Sequence, residues 1–279
     1  MGSIAGLTLS SPESVGTDYG KWLIHGSPGS GKTFLGSTIA QVGGKTLYID
    51  MRGERGARSF GSTPWSSNIE VVRPTSIKQF FDLFNELNKG THDYRAVIID
   101  SLTAVQQSTM RFLLGFSETE VRQIKERMDG ADQRTWGMSL DIMRDIATFW
   151  YSLADSERKR PIHVVMTAQT KIVEDETNET ISRVPDVQRG AVNPTIAAAD
   201  YVVYTETEDD FDTVDADGNA AERHIVRFGN DVEYRIKARV PAHLHGRIPR
   251  ILGRGKAPLS LTSLSRTLGI GGIPAETSK

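Results

Sequence analysis

Gly26-Ser27-Pro28-Gly29-Ser30-Gly31-Lys32-Thr33 follows the pattern Gly, four residues, Gly, Lys, then Ser or Thr. That pattern belongs to phosphate-binding loops, and its setting agrees with it. Trp22, Leu23, Ile24 and His25 before it read as a short strand. Phe34, Leu35, Ile39 and Ala40 after it fall at helical spacing, which predicts a helix starting at Lys32. Glycines at Gly26, Gly29 and Gly31 let successive backbone N–H groups turn inward around an anion, where a Cβ would obstruct them. The helix N-terminus adds partial positive charge to the same spot. Ser27, Pro28 and Ser30 complete the loop. The Lys32 ammonium is placed to reach β- and γ-phosphates, and the Thr33 hydroxyl to hold Mg²⁺. The implied ligand is a nucleoside triphosphate with its metal.

Working outward, the next informative stretch is the apolar run at residues 94–99, which ends in Asp100. Such a run predicts a strand buried on both faces, as in a parallel sheet. An acid at the carboxyl end of that strand sits where open α/β sheets bind ligands. Paired with the phosphate loop, Asp100 is the expected metal-side carboxylate beside Thr33. Residues 46–50 read as another buried strand ending in Asp50, and residues 162–168 as a third, followed by Gln169. An amide at that edge can sense a γ-phosphate, or it can be an ordinary turn residue.

The remaining chain fits around these strands. Residues 1–20 read as an irregular Ser-, Gly- and Thr-rich lead-in, and residues 52–64 as a polar loop with glycines. Ile77, Phe80, Phe81, Phe84 and Leu87 form a helical stripe of core-packing character. A second stripe runs through Met138, Ile142, Ile146, Phe149, Trp150 and Leu153. Residues 172–193 are polar and read as a long loop, a length that marks function or disorder. Asp217-Gly218 and residues 228–231 are hairpin-turn signals, so the C-terminal part is expected to be rich in β-hairpins. The tail from Leu252 has weak periodicity and is expected to be partly mobile.

Composition narrows the classes. The 279 residues contain no cysteine, which excludes disulfides and thiolate metal sites and suits a reducing compartment. No apolar run reaches the length of a membrane span, so a soluble cytoplasmic protein is expected. Net charge is −2, without a global pull toward nucleic acid. Locally, an acidic block from Glu206 to Asp217 precedes a basic stretch from Arg235 to Lys256. That basic stretch reads equally as a solvated surface or as a phosphate-contacting patch. His243 and His245 lack a third ligand at metal spacing.

The order of these elements resembles the RecA-like core of NTPases, most closely phage-encoded RecA-like ATPases that include single-strand annealing proteins. The resemblance rests on the phosphate loop, the strand ending in Asp50, and the strand running into Asp100-Ser101-Leu102. Residues 133–137 before a long helix, Thr167-Ala168-Gln169, and Ile236-Lys237-Ala238-Arg239 complete it. It covers about residues 20–250 and implies an α/β fold: a mostly parallel sheet flanked by helices, with a β-hairpin-rich C-terminal extension. The implied division is a lead-in at 1–20, an ATPase domain at 21–250 and a polar tail at 251–279.

The resemblance also implies roles. Gln169 would couple γ-phosphate to a DNA-binding segment within about residues 171–190. Lys237 and Arg239 would reach from one subunit into a neighbour's nucleotide site. In one place the sequence departs from the family: Arg52 stands where a catalytic Glu is expected, and the nearest Glu is Glu54. Glu54 or Asp50 would then activate the water, or hydrolysis would be weak. The implied protein is an ATP- and Mg²⁺-dependent ATPase forming rings or filaments, in host cytoplasm if phage-encoded, and controlling single-stranded DNA binding in recombination or annealing. The alternatives are an ATP-gated interaction protein without DNA affinity and a motor that translocates duplex DNA.

Overall fold

A computed structural model of the chain describes residues 3–4, 7–8, 19–51, 53–116, 131–175, 180–214, 220–227, 230–231, 234–235 and 260–267. Two short strands, β1 (Ser3–Ile4) and β2 (Leu7–Thr8), pair with each other near the N-terminus. The principal sheet then takes β3 (Lys21–Gly26), β4 (Lys45–Asp50), β5 (Ile69–Val72), β6 (Tyr94–Asp100), β7 (His163–Asp175), β8 (Thr180–Pro185), β9 (Tyr201–Val214) and β10 (Ala220–Arg227). Its order is β10-β9-β3-β7-β6-β4-β5, with β8 pairing on β7 beyond that path. Neighbours from β9 through to β5 are parallel, whereas β10 and β8 are antiparallel additions. The expected mostly parallel α/β architecture is therefore the observed one. A last small pair, β11 (Asn230–Asp231) with β12 (Tyr234–Arg235), lies beyond β10.

Alternation along the central strands explains the layering. Leu23, Ile49, Val97, Ile99, Val164 and Met166 point to one face of the sheet, where they join one hydrophobic cluster. Helices α2 (Ile77–Asn88), α3 (Leu102–Leu113), α4 (Gln133–Ser152) and α5 (Arg189–Ala198) supply its other side. Trp22, Ile24, Tyr48, Ile98, Val165 and Val203 point to the opposite face. There α1 (Lys32–Ser37), the 3₁₀ turn Thr38–Val42 and α6 (Leu261–Thr267) are packed. Burial on both faces is why these strands read as continuous apolar runs. The N-caps are local: Ser76, Ser101 and Asp132 each accept from the backbone N–H three residues on.

Several expectations change. The described residues of the segment 172–193 are not a loop. They continue β7 and return as β8, in register from Thr170 opposite Pro185 to Asp175 opposite Thr180, and then form α5. Their mostly polar side chains concealed this, because an antiparallel hairpin satisfies its own backbone groups without needing a buried face. In α4 the buried stripe is Ser139, Met143, Ile146, Ala147 and Trp150, while Met138 and Phe149 lie near half exposed. The helix is rotated because it packs against α3 and α5 together. At residues 228–231, Asn230 and Asp231 are strand rather than turn. Part of the tail is also docked: the Leu261 N–H donates to Thr38 Oγ1 at 2.8 Å, and Thr262 Oγ1 to the Thr38 carbonyl at 2.8 Å.

His163 opens β7 in the core and is fully buried. Its Nδ1 accepts from the Gly20 N–H at 3.0 Å, so the neutral ring carries its proton on Nε2. Burial, with the Arg95 charge second, pushes its pKa down from 6.5 to about 3. Between those values the unfolded chain takes up a proton that the folded chain refuses, so stability is full above pH 6.5 and declines toward pH 3. At pH 5 the cost from this one group is about 2 kcal/mol. Urea unfolding at pH 7.5 and pH 5 should show His163→Gln losing less stability than wild type by about that amount. Equal losses would contradict a buried neutral imidazole.

Candidate active site

The parallel register brings the predicted residues to one edge of the sheet. Gly26 at the end of β3 lies opposite Gln169 on β7 and Thr205 on β9. Asp50 on β4 lies opposite Asp100 on β6. The loop from Gly26 then turns into α1 through Gly31, whose φ of 88° a side chain would strain. Ser30 Oγ and Thr205 Oγ1, 2.7 Å apart, pin that loop to β9.

Lys32 is 7% exposed. Its Nζ donates to the carbonyls of Gly26 at 2.9 Å and Ser27 at 2.7 Å, and to Gln169 Oε1 at 3.4 Å. All three acceptors are neutral, and among the described residues no carboxylate lies within ion-pair distance of it. Burial lowers the pKa of this ammonium, and the charges of Asp100 and Glu54 oppose that shift. A buried cation without a paired anion is costly by itself. It is therefore suited to an anion that arrives from solution.

Asp100 is the hub of the other half. Thr33 Oγ1 donates to its Oδ2 at 2.8 Å. Tyr48 donates its phenolic hydrogen to the same oxygen, and Thr167 donates to Oδ1. Desolvation, followed by the neighbouring Asp100 charge, holds the Tyr48 phenol far above its usual pKa, so it stays a donor. Gly56 closes over the group: a Cβ there would stand 2.2 Å from Asp100 Oδ2 and 2.3 Å from the Tyr48 hydroxyl. A hydroxyl and a carboxylate held together in this way are hard oxygen donors of the kind Mg²⁺ accepts, leaving its other positions to water and phosphate.

The two candidate acids differ sharply. Asp50 is 2% exposed and bound by Arg73 Nε at 2.9 Å, while its Oδ1 has no partner. Glu54 is half-buried and accepts from Ser101 Oγ at 2.5 Å, in the residue following Asp100. Glu54 is therefore bonded to the residue next to Asp100, and Asp50 is held by an arginine. Gln169 is fixed on its other side, since its N–H donates to Thr103 Oγ1 at 3.1 Å and its carbonyl accepts from Asp186 at 2.7 Å. Burial, and then the Lys32 charge, push the His25 pKa down to about 4. Its neutral ring meets Thr170 Oγ1 at 2.9 Å, at the root of the β7–β8 hairpin.

Arg52, Lys237, Arg239, His243 and His245 lie outside the described residues, as do Arg247, Arg250 and Arg254. The sequence reading gave no site role to Tyr48, Thr167, Ser101 or Thr205. For Tyr48 a signal existed, because it precedes Asp50 by two positions and Leu47 and Ile49 are core residues on the other face. Among the described residues there is no cluster of three or more His, Asp or Glu for a separate metal. No helix among them is long and apolar enough to cross a membrane.

No curated protein matches the chain. A family model described as AAA domain matches residues 19–240, from just before β3 to beyond β12. That match takes in the phosphate loop, Asp100, Gln169 and every strand of the principal sheet, and the chain belongs to the AAA domain family, with an α/β P-loop NTPase core.

Proposed function

We propose that the chain is a Mg²⁺-dependent ATPase of RecA-like type whose nucleotide state controls binding to single-stranded DNA in recombination or annealing. The observation that carries the nucleotide half is the buried Lys32 ammonium, left with neutral acceptors beside a hydroxyl–carboxylate pair. Lys32 would leave the Gly26 and Ser27 carbonyls for the β- and γ-phosphates, and the loop amides would take the remaining phosphate oxygens. Thr33 and Asp100 would hold Mg²⁺, which supplies charge neutralisation between the phosphates. Glu54, steadied by Ser101, would orient the attacking water. Lys237 or Arg239 of a neighbouring copy would compensate developing charge, which makes the active form a homo-oligomer. Catalysis of this kind is positioning and electrostatics, so single charged groups carry large effects.

Support for the DNA half is geometric. Gln169 touches Lys32 and belongs to the same strand that extends into the β7–β8 hairpin. Loss of that contact on nucleotide binding would be felt at the hairpin root, where His25 also bonds Thr170. Arg183 and Arg189 lie on β8 and at the start of α5. Lys171 is turned inward, donating to the Val187 carbonyl and lying 3.8 Å from Asp186. One observation favours the second reading, an ATP-gated interaction protein. Ile172 is 61% exposed and Val173 36% exposed on the same hairpin, an apolar character suited to protein contact.

Turnover assays should find no ATP hydrolysis in Lys32→Ala. Glu54→Gln should keep nucleotide affinity and lose about a hundredfold or more in rate. Normal rates in Glu54→Gln together with a dead Asp50→Asn would move the water-activating role to Asp50. Mixing Lys32→Ala chains with Lys237→Ala/Arg239→Ala chains should restore part of the activity, because each supplies what the other lacks. A monomer that hydrolyses ATP fully, with or without DNA, would remove the shared site.

Anisotropy of a labelled single-stranded oligonucleotide should report modest, ATP-enhanced binding, weakened by Arg183→Ala/Arg189→Ala. The log of affinity should fall by roughly 0.7 per phosphate contact against log salt. Affinity indifferent to ATP, or to those substitutions at low salt, would transfer the function to protein partners.

A further inference from the structure

Phe34 is the large apolar residue of α1 that the core does not take. Its neighbours Lys32, Leu35, Gly36 and Ser37 are buried, while Phe34 is 40% exposed. A helical side chain leans over the turn N-terminal to its own Cα, so the Phe34 ring lies toward the phosphate loop. Thr33, one position earlier, is turned about 100° away and meets Asp100. The two side chains thus leave α1 in different directions, Thr33 toward Asp100 and Phe34 toward Trp65.

A second ring stands beside the first. Trp65, on the connection from β4 to β5, is half-buried, and its ring centroid lies 5.7 Å from that of Phe34 at 67° between planes. This indole is fixed in orientation. Its Nε1–H donates to Ser37 Oγ at 3.0 Å, and Ser37 Oγ donates to the Phe34 carbonyl at 2.7 Å. Asn68 Nδ2 adds a contact to the Ala40 carbonyl at 3.3 Å, holding the same connection along α1 and the turn after it. Beneath, the buried Phe60 packs edge-on against Tyr48, the donor to Asp100. The connection is therefore tied through Trp65 and Asn68 to α1 and the turn after it, and through Phe60 to β4.

We infer that Phe34 and Trp65 form the stacking platform for the base of the bound nucleotide. The inference rests on the nucleotide reading above and adds where the nucleoside lies. With Lys32 and the Thr33–Asp100 pair occupied by the γ and β end, the α-phosphate falls over the first turn of α1. The nucleoside attached to it then leaves on the side away from Asp100, where Phe34 stands. A planar base gains from contact with an exposed aromatic face whatever its edge groups, so the platform selects for a base and only weakly among bases.

Calorimetric titration of the full chain with Mg–ATP and, separately, with Mg–tripolyphosphate tests this. Phe34→Ala and Trp65→Ala should each weaken Mg–ATP about tenfold or more while leaving Mg–tripolyphosphate within about twofold of wild type. Trp65→Phe, which keeps a ring and loses the bond to Ser37, should stay nearer to wild type for ATP than Trp65→Ala. Equal weakening of both ligands would mean that the rings only support the helix, and unchanged ATP affinity would remove the platform outright. Wild-type protein that binds tripolyphosphate but gains nothing from the nucleoside would overturn the platform alone. Wild-type protein that binds neither ligand would overturn the phosphate site with it.

Discussion

A buried carboxylate must have its charge answered, and at Asp100 three hydroxyls do so from three different segments. Thr33 comes from the first turn of α1, Tyr48 from β4 and Thr167 from β7. Loss of a single partner from a group this buried costs about 1–3 kcal/mol, so the three segments are held to one geometry. The phosphate loop, Asp100 and the strand carrying Gln169 are therefore mutually positioned by these bonds. The close approach of Gly56 extends this to the loop that carries Glu54.

The opposite charge is handled in the same way. Lys32 is buried too, at 7% exposed against 2% for Asp100, and is surrounded by neutral oxygens. Together the two groups form a site in which each charge is met by neutral hydrogen-bonding groups and, among the described residues, neither is paired with an opposite charge. In the proposed function an arriving polyphosphate would exchange the neutral acceptors of Lys32 for its own charged oxygens. Asp50 shows the contrast, because an arginine holds one of its oxygens in place.

Gln169 joins this site to the rest of the molecule. It shares a strand with the hairpin, a hydrogen bond with Lys32 and another with α3 through Thr103. A strand paired along its length transmits displacement better than a loop, so in the proposed function the hairpin is a lever with its fulcrum at the sheet edge. Its exposed Ile172 and its nearby arginines leave both nucleic acid and protein as chemically sensible contacts.

Local patterns carried much of this. A phosphate loop needs glycines, a lysine and a hydroxyl at fixed spacing, and strands buried on both faces need unbroken apolar runs. The sheet, its helical layers and the pairing of Thr33 with Asp100 were therefore readable from the residues. Strand order was not, because which strands adjoin depends on crossovers far apart in sequence. That order alone placed Tyr48 and Thr167 on Asp100, and Thr205 on Ser30. The pairing of 170–175 with 180–185 was hidden because the backbone pairs with itself while most of the side chains are polar. The surroundings of Asp50 and Glu54 were equally closed to the sequence, since they depend on Arg73 and Ser101, partners 23 and 47 residues away. Long-range partners decide the charge environment of an acid, and only the folded chain brings them together.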